Sequence, residues 1–244
     1  MLRRAIPSSR DSLPVIGLGT WQTFDVGSSS SERDPLREVL KVLVEKGGKV
    51  VDSSPMYGSS EAVVGDLSAS LGLNEKLFLA TKVWTSGLDE GIRQMTNSLS
   101  LLKRKKIDLM QIHNLVDWKT HLKTLRTWKD QGKIQYIGIT HYTESAYPAL
   151  EEVIRNHPLD FLQINYSILS RKAEERLFPL AQEKKVGVII NQPFEECTLF
   201  RMVKGRELPS WAEEFDCHSW GQFFLKFILS HEAITCVIPG TSKP

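Results

Sequence analysis

Eight short apolar runs punctuate the chain, and between them lie segments with helical spacing. The runs fall near Val15 and at Val50–Val51, Leu77–Val83, Ile107–Ile112, Ile134–Ile139, Phe161–Ile164, Val186–Ile190 and Thr235–Ile238. Most are unbroken rather than alternating, as parallel strands covered on both faces require. The first helical segment, Pro35 to Lys46, sets Leu36, Val39, Leu40, Leu43 and Val44 on one face. Asp34 and Pro35 predict its start, and Gly47-Gly48 its end. Six more follow: Ser60–Leu71, Leu88–Leu102, Lys119–Asp130, Ser145–Arg155, Arg171–Lys184 and Ser219–Leu229. Such alternation predicts an α/β (β/α)8 TIM barrel in one domain, residues 1–244. A doubly wound sheet competes, but Gly17-Leu18-Gly19-Thr20 is only a fragment of the glycine-rich turn that fold uses for a pyrophosphate.

The ending shapes a further expectation. Pro244 follows closely on the eighth strand, so the barrel is expected to lack its last (eighth) helix and C-terminal tail. Strands one and eight would then carry an uncovered apolar stripe, a surface suited to self-association.

Composition removes several classes of function. Charged residues are 25% and hydrophobic ones 41% of 244, as in an ordinary globular protein with a sizeable core. A net charge of +2 carries no nucleic-acid footprint, and the run Lys103-Arg104-Lys105-Lys106 is expected to be a solvated helix end. Cys197, Cys217 and Cys236 have neither framework nor zinc spacing, and no cluster predicts a metal site. The N-terminus lacks the apolar run of a signal peptide, and no stretch approaches the ~20 residues of a membrane span. A cytoplasmic protein with reduced thiols is the expectation.

In a barrel, side chains at the C-terminal ends of the strands converge on one mouth. Reading them off yields Trp21, Asp52 and Tyr57, Lys82 and Trp84, His113, Thr140 and His141, Gln163 and Asn165, and Asn191 and Gln192. The longest loop, Pro193 to Cys217, follows the seventh strand. Asp52 alone could be a helix cap, and His113 alone a core histidine. Lys82 is harder to set aside, because a lysine inside the apolar run LFLATKV is rarely buried unpaired. Together the four make chemistry. A phenol of pKa ~10 is a poor acid at neutral pH. An ammonium beside it lowers that value, a carboxylate keeps the ammonium charged, and a neutral histidine can hydrogen-bond a substrate oxygen. The set suits protonation of an oxygen that turns negative. His121, His157, His218 and His231 read as surface residues, and Trp128, Trp211, Trp220 and Phe223-Phe224-Phe227 as core or interface.

The segments GLGTW, VDSSPMYG, ATKVW, LMQIHN, IQYIGIT, FLQINYS and VIPGTSKP, in this order, resemble the aldo-keto reductase family from Leu13 to Lys243. Asp52 to Gly58 matches its DxxxxYG motif. The resemblance implies a barrel that binds NADPH without a Rossmann fold and reduces a small-molecule aldehyde or ketone to an alcohol. It implies Tyr57 as general acid, Lys82 and Asp52 lowering the tyrosine's pKa, and His113 orienting the carbonyl. By the same resemblance Thr20, Asp52, Gln163 and Thr241 contact the cofactor, and Trp21 and Trp84 line the substrate pocket beside His113. Two positions differ from the family: Thr140-His141 stands where Ser-Asn is frequent, and Asn191 where a stacking tyrosine is frequent. At the end only Gly240, Thr241, Ser242 and Lys243 represent the adenosine-phosphate segment. A competing expectation is therefore a non-catalytic or weakly active nucleotide-binding scaffold.

Overall fold

In the computed structural model, which describes residues 1–244, the apolar runs pair side by side in the order in which they occur. A short antiparallel hairpin comes first, β1 (Arg3–Ala5) with β2 (Ser12–Pro14). The remaining strands are β3 (Leu18–Gly19), β4 (Val50–Asp52), β5 (Phe78–Val83), β6 (Ile107–His113), β7 (Ile134–Thr140), β8 (Phe161–Asn165), β9 (Gly187–Asn191) and β10 (Ile234–Val237). Every neighbouring pair from β3 to β10 is parallel. The helices between them are α1 (Ser30–Glu45), α2 (Ser60–Ser70), α3 (Leu88–Leu101), α4 (Trp118–Asp130), α5 (Tyr147–Asn156) and α6 (Leu177–Glu183). A short α7 (Thr198–Met202) and then α8 (Trp220–Leu229) lie between β9 and β10.

The sheet closes into a barrel where Ile16 pairs with Val237 and Gly19 with Gly240. The Gly17 N–H donates to the Val237 carbonyl at 2.8 Å, and the Val237 N–H to that of Val15 at 2.9 Å. Glycine is what permits this seam. A Cβ on Gly17 would lie 2.8 Å from Val50 Cβ, and one on Gly19 2.8 Å from the Ile238 carbonyl oxygen, closer than real side chains come.

Two apolar layers result. The larger lies between strands and helices. The smaller fills the N-terminal half of the barrel interior with Val50, Phe78, Leu109, Tyr136, Phe161 and Ile189, and Ile6 and Leu13 of the hairpin belong to it. Fully burying a side chain of this size stabilises by about 1.5–3 kcal/mol. Arg4 locks the hairpin by donating to the carbonyls of Leu229, His231 and Ile234. Above this layer the interior turns polar, and that is where Asp52, Lys82, Gln111 and Gln163 stand.

Several expectations need correcting. The run from Leu13 to Leu18 is not one strand: its first part belongs to the hairpin, and only Leu18–Gly19 is a barrel strand. Helix α1 begins at Ser30 rather than Pro35. Ser29, the N-cap residue, donates its hydroxyl to the Glu32 carboxylate, which also accepts the Gly27 N–H, and Pro35 sits inside the helix. The predicted helix from Arg171 shortens to Leu177–Glu183 behind a single 3-10 turn. Strands one and eight show no exposed stripe. Leu18 and all of Ile234 to Val237 are buried, with Leu36, Leu40 and Ile228 of α1 and α8 in the same cluster. The basic run is not wholly solvated either: Arg104 is largely buried and donates to the Asn74 carbonyl at 2.6 Å.

Candidate active site

Alternation of side chains along a strand decides which residues enter the barrel. Asp52 ends β4, Lys82 is the fifth residue of β5, Gln111 and His113 lie two apart on β6, and Gln163 is central in β8. All five are buried. Lys82 Nζ donates to Asp52 Oδ2 at 2.6 Å and to the Ser53 carbonyl at 2.7 Å. The other carboxylate oxygen, Oδ1, accepts Gln163 Nε2 at 2.8 Å and Gln111 Nε2 at 3.0 Å. Desolvation of such a pair is costly, and these extra hydrogen bonds are what make a buried ion pair tolerable.

Tyr57 stands over the pair. It is half-buried, and Lys82 Nζ lies 4.7 Å from its ring centroid. The turn that brings it there is short: the Tyr57 N–H donates to the Ser54 carbonyl at 3.0 Å, and Gly58 follows with φ +57°. Asp25 Oδ1 then accepts the Ser59 N–H at 2.9 Å and the Ser59 hydroxyl at 3.0 Å, clasping the first loop onto the tyrosine turn. His113 meets Tyr57 edge to face, with centroids 5.8 Å apart. Its Nδ1 lies 3.1 Å from Ser54 Oγ, which also accepts the Met56 N–H at 3.3 Å. Ser54, accepting from Met56, still has its own proton to give to Nδ1, an arrangement in which the imidazole hydrogen stands on Nε2.

The electrostatics follow from burial and from the pair. Burial pushes His113 down to about 2, and the Lys82 and His141 charges add to the drop, so its imidazole is neutral. Burial by itself would lower Lys82, but the Asp52 carboxylate and the Tyr57 phenol outweigh it and hold the ammonium above its ordinary range. Tyr57 corrects an expectation. Burial raises its pKa, the Lys82 charge pulls it back, and Asp52 adds to the rise, so the phenol ends above its usual value. Lys82 thus acts on Tyr57 in the expected direction and Asp52 against it.

The remaining strand-end residues divide into spent and unspent. The Thr20 hydroxyl is fully buried on the Asp52 carbonyl and Ser53 Oγ, both at 3.0 Å. Thr140 Oγ1 donates to Gln163 Oε1 at 3.3 Å. His141 Nδ1 accepts the Tyr142 and Thr143 N–H groups, and its ring stacks on Tyr142. Asn165 takes the Tyr147 hydroxyl. Asn191 is unspent: its Oδ1 is buried without a partner. Gly240 lies on the closing seam, with Thr241 and Lys243 exposed beyond it. Trp84 and Trp21 are 42% and 43% exposed, and the Trp84 ring lies 6.5 Å from that of His113. Sequence reasoning passed over Gln111 and the role of Ser54. Gln111 carried the same signal as Lys82, a polar residue within an apolar run. No group of His, Cys, Asp and Glu could hold a metal ion, and no helix is long and apolar enough to cross a membrane.

The family model described as the aldo/keto reductase family matches residues 15–244. The chain belongs to the aldo/keto reductase family. Among curated relatives it is 27% identical over 246 residues to the methylglyoxal reductase YeaE of Escherichia coli, an alignment covering 97% of this chain and 84% of that protein. It is 26% identical over 190 residues to the aldo-keto reductase YhdN of Bacillus subtilis, covering 72% of this chain but only 56% of that one. The barrel superposes on an aldo/keto reductase from Klebsiella pneumoniae, solved with NADP and acetate, with a TM-score of 0.81 at 22% identity. That match covers 96% of this chain and 83% of the other.

Proposed function

We propose that this aldo/keto reductase reduces an aldehyde or ketone to an alcohol, with NADPH as cofactor and Tyr57 as the general acid. The observation that carries the reading is the Lys82–Asp52 pair, 2.6 Å apart and buried beneath the phenol. Burial keeps the Tyr57 proton in place until an oxygen needs it, and the ammonium stabilises the phenolate left behind. Gln111 and Gln163 fix Asp52, which keeps Lys82 charged and aimed. His113, neutral and bearing its proton on Nε2, donates to the carbonyl oxygen and orients it toward Tyr57. Trp21 and Trp84 form apolar walls for the remainder of the substrate.

The residues present fit the cofactor. Asn191 offers a buried amide oxygen without a partner at the mouth, an acceptor for a carboxamide N–H. Lys243 makes no ion pair, and Thr241 lies beside it for phosphate oxygens. Thr20, Thr140 and Gln163, their side chains bonded within the protein, would shape the floor and contact the cofactor through surface, while His141, whose Nδ1 accepts backbone N–H groups, keeps its Nε2 proton to offer. When bound, the reduced nicotinamide supplies a hydride to the carbonyl carbon. The name of the Escherichia coli relative makes methylglyoxal a first substrate to try.

The test mixes protein, NADPH and either benzaldehyde or methylglyoxal and follows loss of NADPH absorbance. Wild type is expected to turn over and Tyr57→Phe to lose roughly 10²–10⁴-fold in rate. An undiminished Tyr57→Phe rate removes the acid role. Tight NADPH binding without turnover of any carbonyl would instead make the chain a nucleotide-binding scaffold.

A further inference from the structure

The Ala80 carbonyl accepts the Ser53 N–H at 2.9 Å, so alternate residues of β5 present their backbone groups to the β4 side. Strand β4 stops at Asp52. Trp84, four residues past Ala80, therefore shows its N–H and C=O to an edge that has no strand. Gln94 of α3 fills the gap. Its Oε1 accepts the Trp84 N–H at 2.6 Å and its Nε2 donates to the Trp84 carbonyl at 3.2 Å. One side-chain amide here does the work of a neighbouring strand's peptide.

The rest of the loop is tied from the same side. His121 Nε2 donates to the Thr85 carbonyl at 2.7 Å, and Asp117 Oδ2 accepts the Gly87 N–H at 2.8 Å. His121, expected on the surface, is fully buried. It can reach Thr85 because Gly91 lets α3 come close, a Cβ there lying 2.5 Å from His121 Cε1. The backbone from Trp84 to Gly87 is thus held by α3, α4 and the loop before α4, while the indole is left open at the mouth.

We infer that Gln94 is a positioning residue that sets which carbonyl compounds this enzyme prefers. By holding the Trp84 backbone it fixes the point from which the indole projects beside His113 as a wall, ready to stack a flat aromatic carbonyl without the cost of ordering the loop. Short carbonyls reach Tyr57 and His113 without needing that wall. The inference rests on the reading of Tyr57 and His113 as the carbonyl site.

Two measurements on Gln94→Met test it. In protein carrying fluorotryptophan at its six tryptophans, Trp84→Phe assigns the Trp84 fluorine resonance. Gln94→Met is expected to shift or broaden that line and leave the others. In turnover, the ratio of kcat/KM for benzaldehyde to that for methylglyoxal is expected to fall about tenfold, through KM for benzaldehyde. A Trp84 line identical to wild type overturns the inference. So does equal loss toward both aldehydes, the signature of a merely structural role. Should Gln94→Met not fold, Gln94→Glu, which keeps an acceptor for the Trp84 N–H, replaces it with the same readouts. A wild type that reduces neither aldehyde defeats the carbonyl reading, while the fluorine line still decides whether Gln94 holds Trp84.

Discussion

The Ser54 hydroxyl sits 3.1 Å from Nδ1 of His113 and is the hydrogen-bond partner of that nitrogen in the imidazole facing Tyr57. Ser54→Ala removes that partner and leaves a buried ring nitrogen unpaired. A lost buried hydrogen bond is worth about 1 kcal/mol, or roughly fivefold. The expected result is a fall of that order in kcat/KM with NADPH affinity unchanged, measured by steady-state kinetics and by fluorescence titration.

Lys82→Met should test the ion pair as structure. It leaves the Asp52 carboxylate buried without its cation, which for such pairs destabilises by about 3–5 kcal/mol. Urea unfolding reads the change directly. The double variant Lys82→Met/Asp52→Leu should recover part of the loss, because it removes the stranded charge.

Glu61 gives a pH prediction from outside the mouth. The residue is buried on α2, accepts the Thr81 hydroxyl at 2.6 Å through Oε1, and leaves Oε2 unpartnered. Burial raises its pKa, with smaller downward pulls from Thr81, Ser98 and Lys82. A raised folded-state value means that the fold prefers the protonated acid. Its contribution is fully present below the unfolded value of about 4.3 and is lost as pH rises through the folded one. Urea midpoints for wild type should therefore decline across that window more steeply than those for Glu61→Gln, with the gap opening on the alkaline side.

Gly58→Ala should misplace Tyr57. The glycine has φ +57°, and a Cβ there would lie 2.2 Å from Asp25 Oδ1. Left-handed backbone costs a residue with a side chain about 1–2 kcal/mol, and the clash with the carboxylate adds to it. Turnover should drop well beyond the loss of stability. Adding Asp25→Ala should restore part of the activity by relieving the clash.

The candidate set could be read from the sequence because each member stands at or just past the end of a strand, inside a short, distinctive segment. Asp52 and Tyr57 share one segment, and Lys82 and His113 each close an apolar run. What escaped was pairing between distant parts. Nothing local in RRA or SLP says that they form a hairpin tied to α8 through Arg4. His121 was misjudged although the sequence held the clue: it lies on the helical face of Leu125 and Trp128, both buried. The start of α1 went wrong because Asp34-Pro35 outshone the quieter pairing of Ser29 with Glu32. The direction of the Tyr57 shift was hidden because desolvation depends on how many atoms surround the ring, which spacing does not reveal.

The glycine seam also orders events during synthesis. Gly17 must wait for Val237, so the barrel cannot shut until synthesis has passed the last strand. Asp52, Lys82, Gln111, His113 and Gln163 all lie on β4 to β8, strands that neighbour one another in sequence. These polar groups can find each other on an open sheet, while water still covers them. Shutting the seam then strips that water from charges already paired, so that neither ion crosses into the interior alone.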